Sequence, residues 1–242
     1  MNAGRRPTGP GRDALRAYRG LPLAARLHAE LRWWSAPFPG VERELPDAGR
    51  ILEIGCGHGL FCTYLALAGP GRRVVGVDID AGKIAAAQQV AERFGRALPG
   101  AAEPSFEVAR SGAVASGPWD AIAIIDMLYL LPAAEQRALL TAAAAQLAPG
   151  GLLVIKEMST TPRWKASWNQ FQETLSVSVL GITDRADEQS LARDGAPGPR
   201  FDFVAPQVMA GWLGELGLAT SSRRLDHHRV HPHHLLIGRA AS

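Results

Sequence analysis

The sequence is poor in the features that would settle its class at once. It has two cysteines among 242 residues, Cys56 and Cys62. Two thiols near one turn make no disulfide framework, and they point to a reducing compartment, the cytoplasm. No apolar run reaches the roughly 18 residues that a membrane span requires. The arginines near the N-terminus are followed by no apolar stretch, so a secretory signal is not expected. Lysine is almost missing: Lys83, Lys156 and Lys165 are the full set, and arginine supplies the remaining base. The net charge of +3 carries no polybasic run, which excludes a strong nucleic-acid patch. What the chain does have is apolar residues, 47% of it, ample for the core of one large α/β domain.

The chain is organised around Ile51-Leu52-Glu53-Ile54-Gly55-Cys56-Gly57-His58-Gly59-Leu60-Phe61. An apolar run ends in three glycines at alternate positions, and a helical pattern follows. This order reads as a buried parallel strand, a tight turn and a helix N-terminus. Such a turn lets a ligand approach the main chain, and the helix end adds free N–H groups and partial positive charge. Glu53 lies inside the strand, where a carboxylate is costly without a partner. A second apolar strand, Arg73-Val74-Val75-Gly76-Val77-Asp78, ends in an acid nineteen residues after Gly59. That is close to the offset of roughly 20 residues at which a second-strand carboxylate meets ribose hydroxyls. The alternative for Asp78 is a turn residue or helix cap, although Asp80 is better placed to cap a helix starting at Ala81.

These two segments resemble the first two motifs of the class I S-adenosylmethionine-dependent methyltransferases. Trp119-Asp120-Ala121-Ile122-Ala123-Ile124-Ile125-Asp126 resembles that family's fourth strand. Leu147-Ala148-Pro149-Gly150-Gly151-Leu152-Leu153-Val154-Ile155 resembles its Pro-Gly-Gly turn into the fifth. The resemblance covers residues 51–155. It implies an α/β fold: a Rossmann-like, seven-stranded, mostly parallel sheet with helices on both faces and an antiparallel last strand. An N-terminal helical cap and an insert after the fifth strand complete the expectation.

Taken in order, residues 1–12 are rich in Gly, Pro and Arg and read as a disordered tail. Residues 13–45 read as a cap of one or two amphipathic helices. The cap either packs on the sheet, or serves as a lid or as an Arg/Trp face for a membrane or carrier protein. Trp33, Trp34 and Phe38 either line a pocket there or staple the helix to the core. The methyltransferase domain is expected over 46–242. Strands are expected at 51–55, 73–78, 105–108, 120–125, 151–157, 218–226 and 231–239. Helices are expected at 59–68, 81–96, 133–147 and 205–216. The insert, about 159–204, is the main candidate for substrate choice, or else an ordinary helix and loop. His227, His228, His231, His233 and His234 cluster near the end. His231 and His233 are spaced to share a metal, but only Asp226 stands near to complete a ligand set. A polar hairpin is the simpler reading, and no metal is expected.

By resemblance, the cofactor is S-adenosylmethionine, held by Glu53, Gly55, Cys56, Gly57, Gly59, Asp78, Ile79, Ser111 and Asp126. Glu53 takes the amino end of the methionine moiety and Asp78 the ribose hydroxyls. The position after the third strand, Ala109-Arg110-Ser111, lacks the acid that often holds adenine in this family, so Ser111 or a main-chain N–H substitutes. Methyl transfer depends on alignment, and a protonated acceptor also needs a base. The catalytic candidates are Asp126, Tyr129 and His58. Their plainer alternatives are a turn cap, a core aromatic and a solvent-facing side chain. Lys156 and Glu157 end the fifth strand on opposite faces, where one reaches the acceptor or both are solvated. The expected partner is a small, partly apolar acceptor, lipid-like or carrier-bound, with peripheral membrane contact as an option. O-methylation is favoured. A nicotinamide-dependent oxidoreductase and a non-catalytic binding scaffold remain the alternatives.

Overall fold

The computed structural model describes residues 7, 9–97, 102–158, 202–225 and 233–242. The apolar runs form β1 (Ala48–Ile54), β2 (Gly71–Asp78), β3 (Ser105–Val108), β4 (Trp119–Ile125) and β5 (Leu147–Met158). The closing strands are β6 (Ala219–Arg224) and β7 (His233–Arg239). They make one sheet in the order β3-β2-β1-β4-β5-β7-β6. Strands β1 to β5 are parallel, and β7 runs antiparallel to both β5 and β6. This is the Rossmann-like arrangement that the motifs imply.

Strand alternation splits the core into two layers. Ile51, Ala121, Ala123, Ile125 and Val154 pack on one face, with α4 (Leu60–Ala68), α5 (Ala81–Ala97) and the N-terminal cap. Leu52, Ile54, Ile122, Ile124, Leu153 and Ile155 pack on the other, with α6 (Ala133–Ala144) and α7 (Pro206–Glu215). Strands covered on both faces read as continuous apolar runs for this reason. The chain leaves β1 toward β2 on one side, and β4 lies on the other. A crevice therefore opens at the C-terminal ends of β1 and β4, where open α/β sheets bind ligands.

The cap consists of α1 (Pro10–Ala17), a short 3-10 turn at Tyr18–Gly20, α2 (Leu23–Ser35) and α3 (Phe38–Glu42). Helix α1 begins at Pro10, inside the expected 1–12 tail, because proline suits the first turn, where its missing N–H is no loss. Trp33 meets the ring of Tyr64 edge-on at 5.2 Å, and Phe38 stacks on Phe61 at 5.0 Å. These two aromatics fasten the cap to α4, while Trp34 is exposed.

Several boundaries differ from expectation; β1, for one, starts at Ala48 instead of 51. Helix α6 stops at Ala144 instead of 147, and β5 starts at Leu147 instead of 151, taking in the Pro-Gly-Gly segment. Pairing with β4 shifts register between Trp119 and Ala121, which accommodates that segment in the strand. The expected insert, apart from 202–204, and His227, His228 and His231 lie outside the described residues.

Candidate active site

The turn between β1 and α4 is built on backbone angles that favour glycine. Gly55, Gly57 and Gly59 have φ of 75°, 55° and 77°. Their surroundings separate them. A Cβ at Gly55 would lie 2.7 Å from Met127 Cγ, and one at Gly59 would lie 2.5 Å from the Phe106 ring. At Gly57 nothing lies within 4 Å. Two of the glycines serve packing, and the third exposes bare main chain. The N–H groups of Gly55 and Cys56 donate to Val77 O at 2.8 and 3.0 Å, locking the turn to β2.

Asp78 ends β2 beside this turn. Its Oδ2 accepts the Gly57 N–H at 2.8 Å, and its Oδ1 accepts the Asp80 N–H at 3.0 Å. Asp80 Oδ1 accepts the Lys83 N–H at 3.0 Å and so caps α5, as its position indicates. Ile79, between the two acids, is 66% exposed. Ser111 is exposed in the turn after β3.

Glu53 is buried, and its Oε2 accepts a hydrogen bond from Cys62 Sγ at 2.9 Å. No cation forms an ion pair with it among the described residues. Burial drives its carboxyl up to about 7, against the opposing pull of Cys62 and Arg32. The negative charge of Asp78 adds to the rise, so the two acids share one neighbourhood.

A second polar group lies at the ends of β4 and β5. Asp126 has φ of 50°, the one positive value for a non-glycine among the described residues. Lys156 Nζ donates to both of its carboxylate oxygens, at 2.5 and 2.6 Å. Arg32, reaching over from α2, donates Nη1 to Oδ2 at 2.7 Å and Nη2 to Ile125 O at 3.1 Å. Burial alone would raise Asp126, but the two cations outweigh it and hold the carboxyl below the usual range. Burial in turn pulls the Lys156 ammonium below the usual lysine range, against the attraction of Asp126. Glu157 Oε1 accepts the N–H groups of Met127 and Leu128 at 3.2 and 2.9 Å. Its Oε2 is buried with no hydrogen-bond partner among the described residues. Burial and the Asp126 charge push this carboxyl up. Lys156 and Glu157 are thus both buried, not a solvated strand end, because β7 continues to pair with β5 as far as Met158.

Tyr129 is packed in the 3-10 turn Leu128–Leu130, with its ring stacked on Phe203 at 5.2 Å. Burial and Asp126 push its phenol well above the ordinary range. His58 is buried and does not face solvent. Its ring lies 4.9 Å from that of His28 on α2, and its carbonyl accepts the Tyr18 hydroxyl at 2.6 Å. Its Nδ1 has no hydrogen-bond partner among the described residues. Burial, then Lys83, lowers the His58 imidazole, and burial with His58 lowers His28 to about 4. Both rings are neutral at neutral pH.

The structure therefore brings Glu53, Gly57 and Asp78 together at the turn, and Asp126 and Tyr129 together at the end of β4. Ser111 stands at the surface. Sequence reasoning missed Arg32, His28 and Cys62. The first two were recoverable in part: they lie four apart on α2 and so share one helical flank. His233 is buried and close enough to lower the Asp126 carboxyl, but among the described residues no group of three His, Cys, Asp or Glu could hold a metal.

The profile of one family, described as "Methyltransferase domain", matches residues 25–204. The ubiquinone biosynthesis O-methyltransferase of Xanthomonas axonopodis pv. citri is 26% identical over 203 residues, 77% of this chain and 75% of that one. Among solved structures, an O-methyltransferase family protein from Burkholderia thailandensis superposes with a TM-score of 0.63 at 18% identity. The match covers 94% of this chain and 62% of that chain, so this chain spans less than two thirds of that relative. The magnesium protoporphyrin IX methyltransferase of Synechocystis PCC 6803, solved with S-adenosylhomocysteine, gives a TM-score of 0.59 at 19% identity. It covers 96% of this chain and 94% of that chain. At these identities the solved structures speak to the fold alone.

Proposed function

The chain belongs to the methyltransferase domain family, and from that premise we propose that it moves a methyl group from S-adenosylmethionine to a small, partly apolar acceptor. Oxygen is the favoured acceptor atom, in keeping with the name of the Xanthomonas relative. One observation carries this reading: a buried carboxyl, Glu53, pushed up to about 7 with no cation in an ion pair with it among the described residues, beside bare main chain at Gly57. That pair fits a ligand with a cationic amino group that must approach the backbone closely.

When bound, the donor supplies a methyl group on a cationic sulfur, already activated for transfer. Glu53 is assigned to the ammonium, opposite which its ionised form becomes favourable. Asp78 is assigned to the ribose hydroxyls. A carboxylate has roughly four lone-pair sites, and the N–H groups of Gly57 and Asp80 use two. Gly55, Cys56 and Gly59 shape the turn. Ile79 offers an exposed apolar face to the adenine, and Ser111 a hydroxyl. Asp126 is assigned a positioning role, because a carboxylate already shared by Lys156 and Arg32 is a weak proton acceptor. Tyr129 keeps its proton and lines the methyl-facing side. His58, a neutral imidazole whose Nδ1 has no hydrogen-bond partner among the described residues, is assigned to take the proton that an acceptor hydroxyl gives up as its bond to carbon forms.

The free thiols of Cys56 and Cys62 agree with work in a reducing cytoplasm. A lipid-like or carrier-bound acceptor is the finer form of the same reading. No helix among the described residues is long and apolar enough to cross a membrane. Calorimetric binding of S-adenosylhomocysteine to wild type and to Asp78→Ala tests the site. Charged hydrogen bonds contribute about 1.5–3 kcal/mol each, so the variant should bind at least about tenfold more weakly. No binding by wild type, or equal affinity in both, overturns the assignment.

A further inference from the structure

Helix α2 presents three different flanks. At about 3.6 residues per turn, Ala25, Ala29 and Trp33 form the flank buried on the core. His28 and Arg32 form the flank that meets His58 and Asp126. The remaining flank carries Leu23, Leu27, Leu31 and Trp34, exposed by 64%, 49%, 56% and 50%. These are large apolar side chains at i, i+4, i+8 and i+11, one straight stripe along the helix. Single exposed leucines are unremarkable, but a continuous stripe on a folded surface marks an interaction face.

A cavity of about 250 Å³ opens beside this stripe, between α2 and the α1 segment. Arg12, Arg16, Arg19 and Arg26 line it, with Glu30 as the acid among them. Arg16 pairs with Asp13 at 3.0 Å, and the other three arginines carry no ion pair among the described residues. Arg26 and Glu30 lie on α2 next to the leucines, so the cationic basket and the apolar stripe form one continuous face. The net charge of the chain is only +3, so this concentration of arginine is local.

We propose that this face of the cap docks on an anionic lipid surface. The stripe enters the boundary between headgroups and acyl chains, with α2 lying flat. Trp34 sits at headgroup level, where tryptophan is favoured, and the arginines take lipid phosphates. A lipid surface suits the pattern better than an acidic carrier protein: a charge-led protein contact has no use for three leucines in a row, whereas a flat helix in a bilayer interface needs them. The docking would bring lipid to the flank next to Arg32 and Asp126, and so next to the site. Only that last link rests on the methyl-transfer reading, and the docking is measured without turnover.

The test is co-sedimentation of the full chain with vesicles of phosphatidylcholine containing a minority of phosphatidylglycerol, and with vesicles of phosphatidylcholine alone. Wild type should pellet with the anionic vesicles only, and added salt should release it. Arg19→Ala/Arg26→Ala should bind roughly thirty-fold more weakly, about five-fold for each arginine near the surface. Leu27→Glu/Leu31→Glu should bind at least about ten-fold more weakly. Both variants should bind S-adenosylhomocysteine as wild type does, which separates lost docking from lost folding and from failure of the active-site reading. Wild type that stays in the supernatant overturns the proposal, as does equal pelleting with neutral vesicles or by both variants. Retention on an immobilised acidic carrier protein, with no vesicle binding, overturns it in favour of a protein partner.

Discussion

Replacing Glu53 with glutamine isolates the group on which the cofactor assignment depends. The folded chain holds this carboxyl at about 7 against an ordinary 4.5, chiefly by burial. A raised folded value means that the native state binds the proton more tightly than the unfolded chain. The associated stability is complete below the unfolded value and is lost as pH rises through about 7. A difference of two to three units at about 1.4 kcal/mol each corresponds to a loss of about 3 kcal/mol above that pH. Glu53→Gln removes the titration. Urea melts should show wild type falling behind the variant by up to about 3 kcal/mol between about pH 4.5 and pH 8. Ligand reverses the preference. A cationic amino group beside Glu53 favours the carboxylate, so binding expels the proton. At about pH 6.5 a group with a value near 7 is roughly three-quarters protonated. Calorimetry of S-adenosylhomocysteine in buffers of different ionisation enthalpy should then report about 0.7 proton more released by wild type than by the variant. The variant should also bind at least tenfold more weakly, roughly the loss of one charged contact. Equal proton release by the two proteins would refute the pairing of Glu53 with the ligand, and a stability gap that does not change with pH would refute the raised carboxyl on which that release depends.

Three further outcomes follow from the same geometry. Lys156→Met leaves Asp126 buried with Arg32 as its remaining ion-pair partner among the described residues, and urea unfolding should show a loss of about 3 kcal/mol, the lower end for breaking a buried pair. Arg32→Ala removes the side chain that ties α2 to Asp126, so hydrogen exchange should speed up along α2 first, with about 1–3 kcal/mol lost overall. Gly57→Ala should lose only about 1–2 kcal/mol of stability, since its Cβ meets open space at a positive φ, yet bind S-adenosylhomocysteine far more weakly. A variant that binds as wild type does would show that ligand does not approach the main chain there.

The sequence by itself determined the sheet, the glycine turn and the acid that follows the second strand. These are properties of contiguous residues: apolar runs become strands covered on both faces, and alternate glycines accept the positive φ of a tight turn. Asp80 as a cap was legible for the same reason, because its partner Lys83 lies three residues on. The ends of β5 and α6 were less legible, since the Pro-Gly-Gly segment reads as a turn until pairing with β4 draws it into the strand. Only the tertiary structure decided the charge pattern of the site. Arg32 and Asp126 are 94 positions apart, and Asp126 and Lys156 are 30 apart. No local pattern couples such residues, and their ionisation follows from burial and from the neighbours that folding supplies. The same holds for Glu53, whose thiol donor comes from α4, and for His58, buried because a distant helix brings His28 against it.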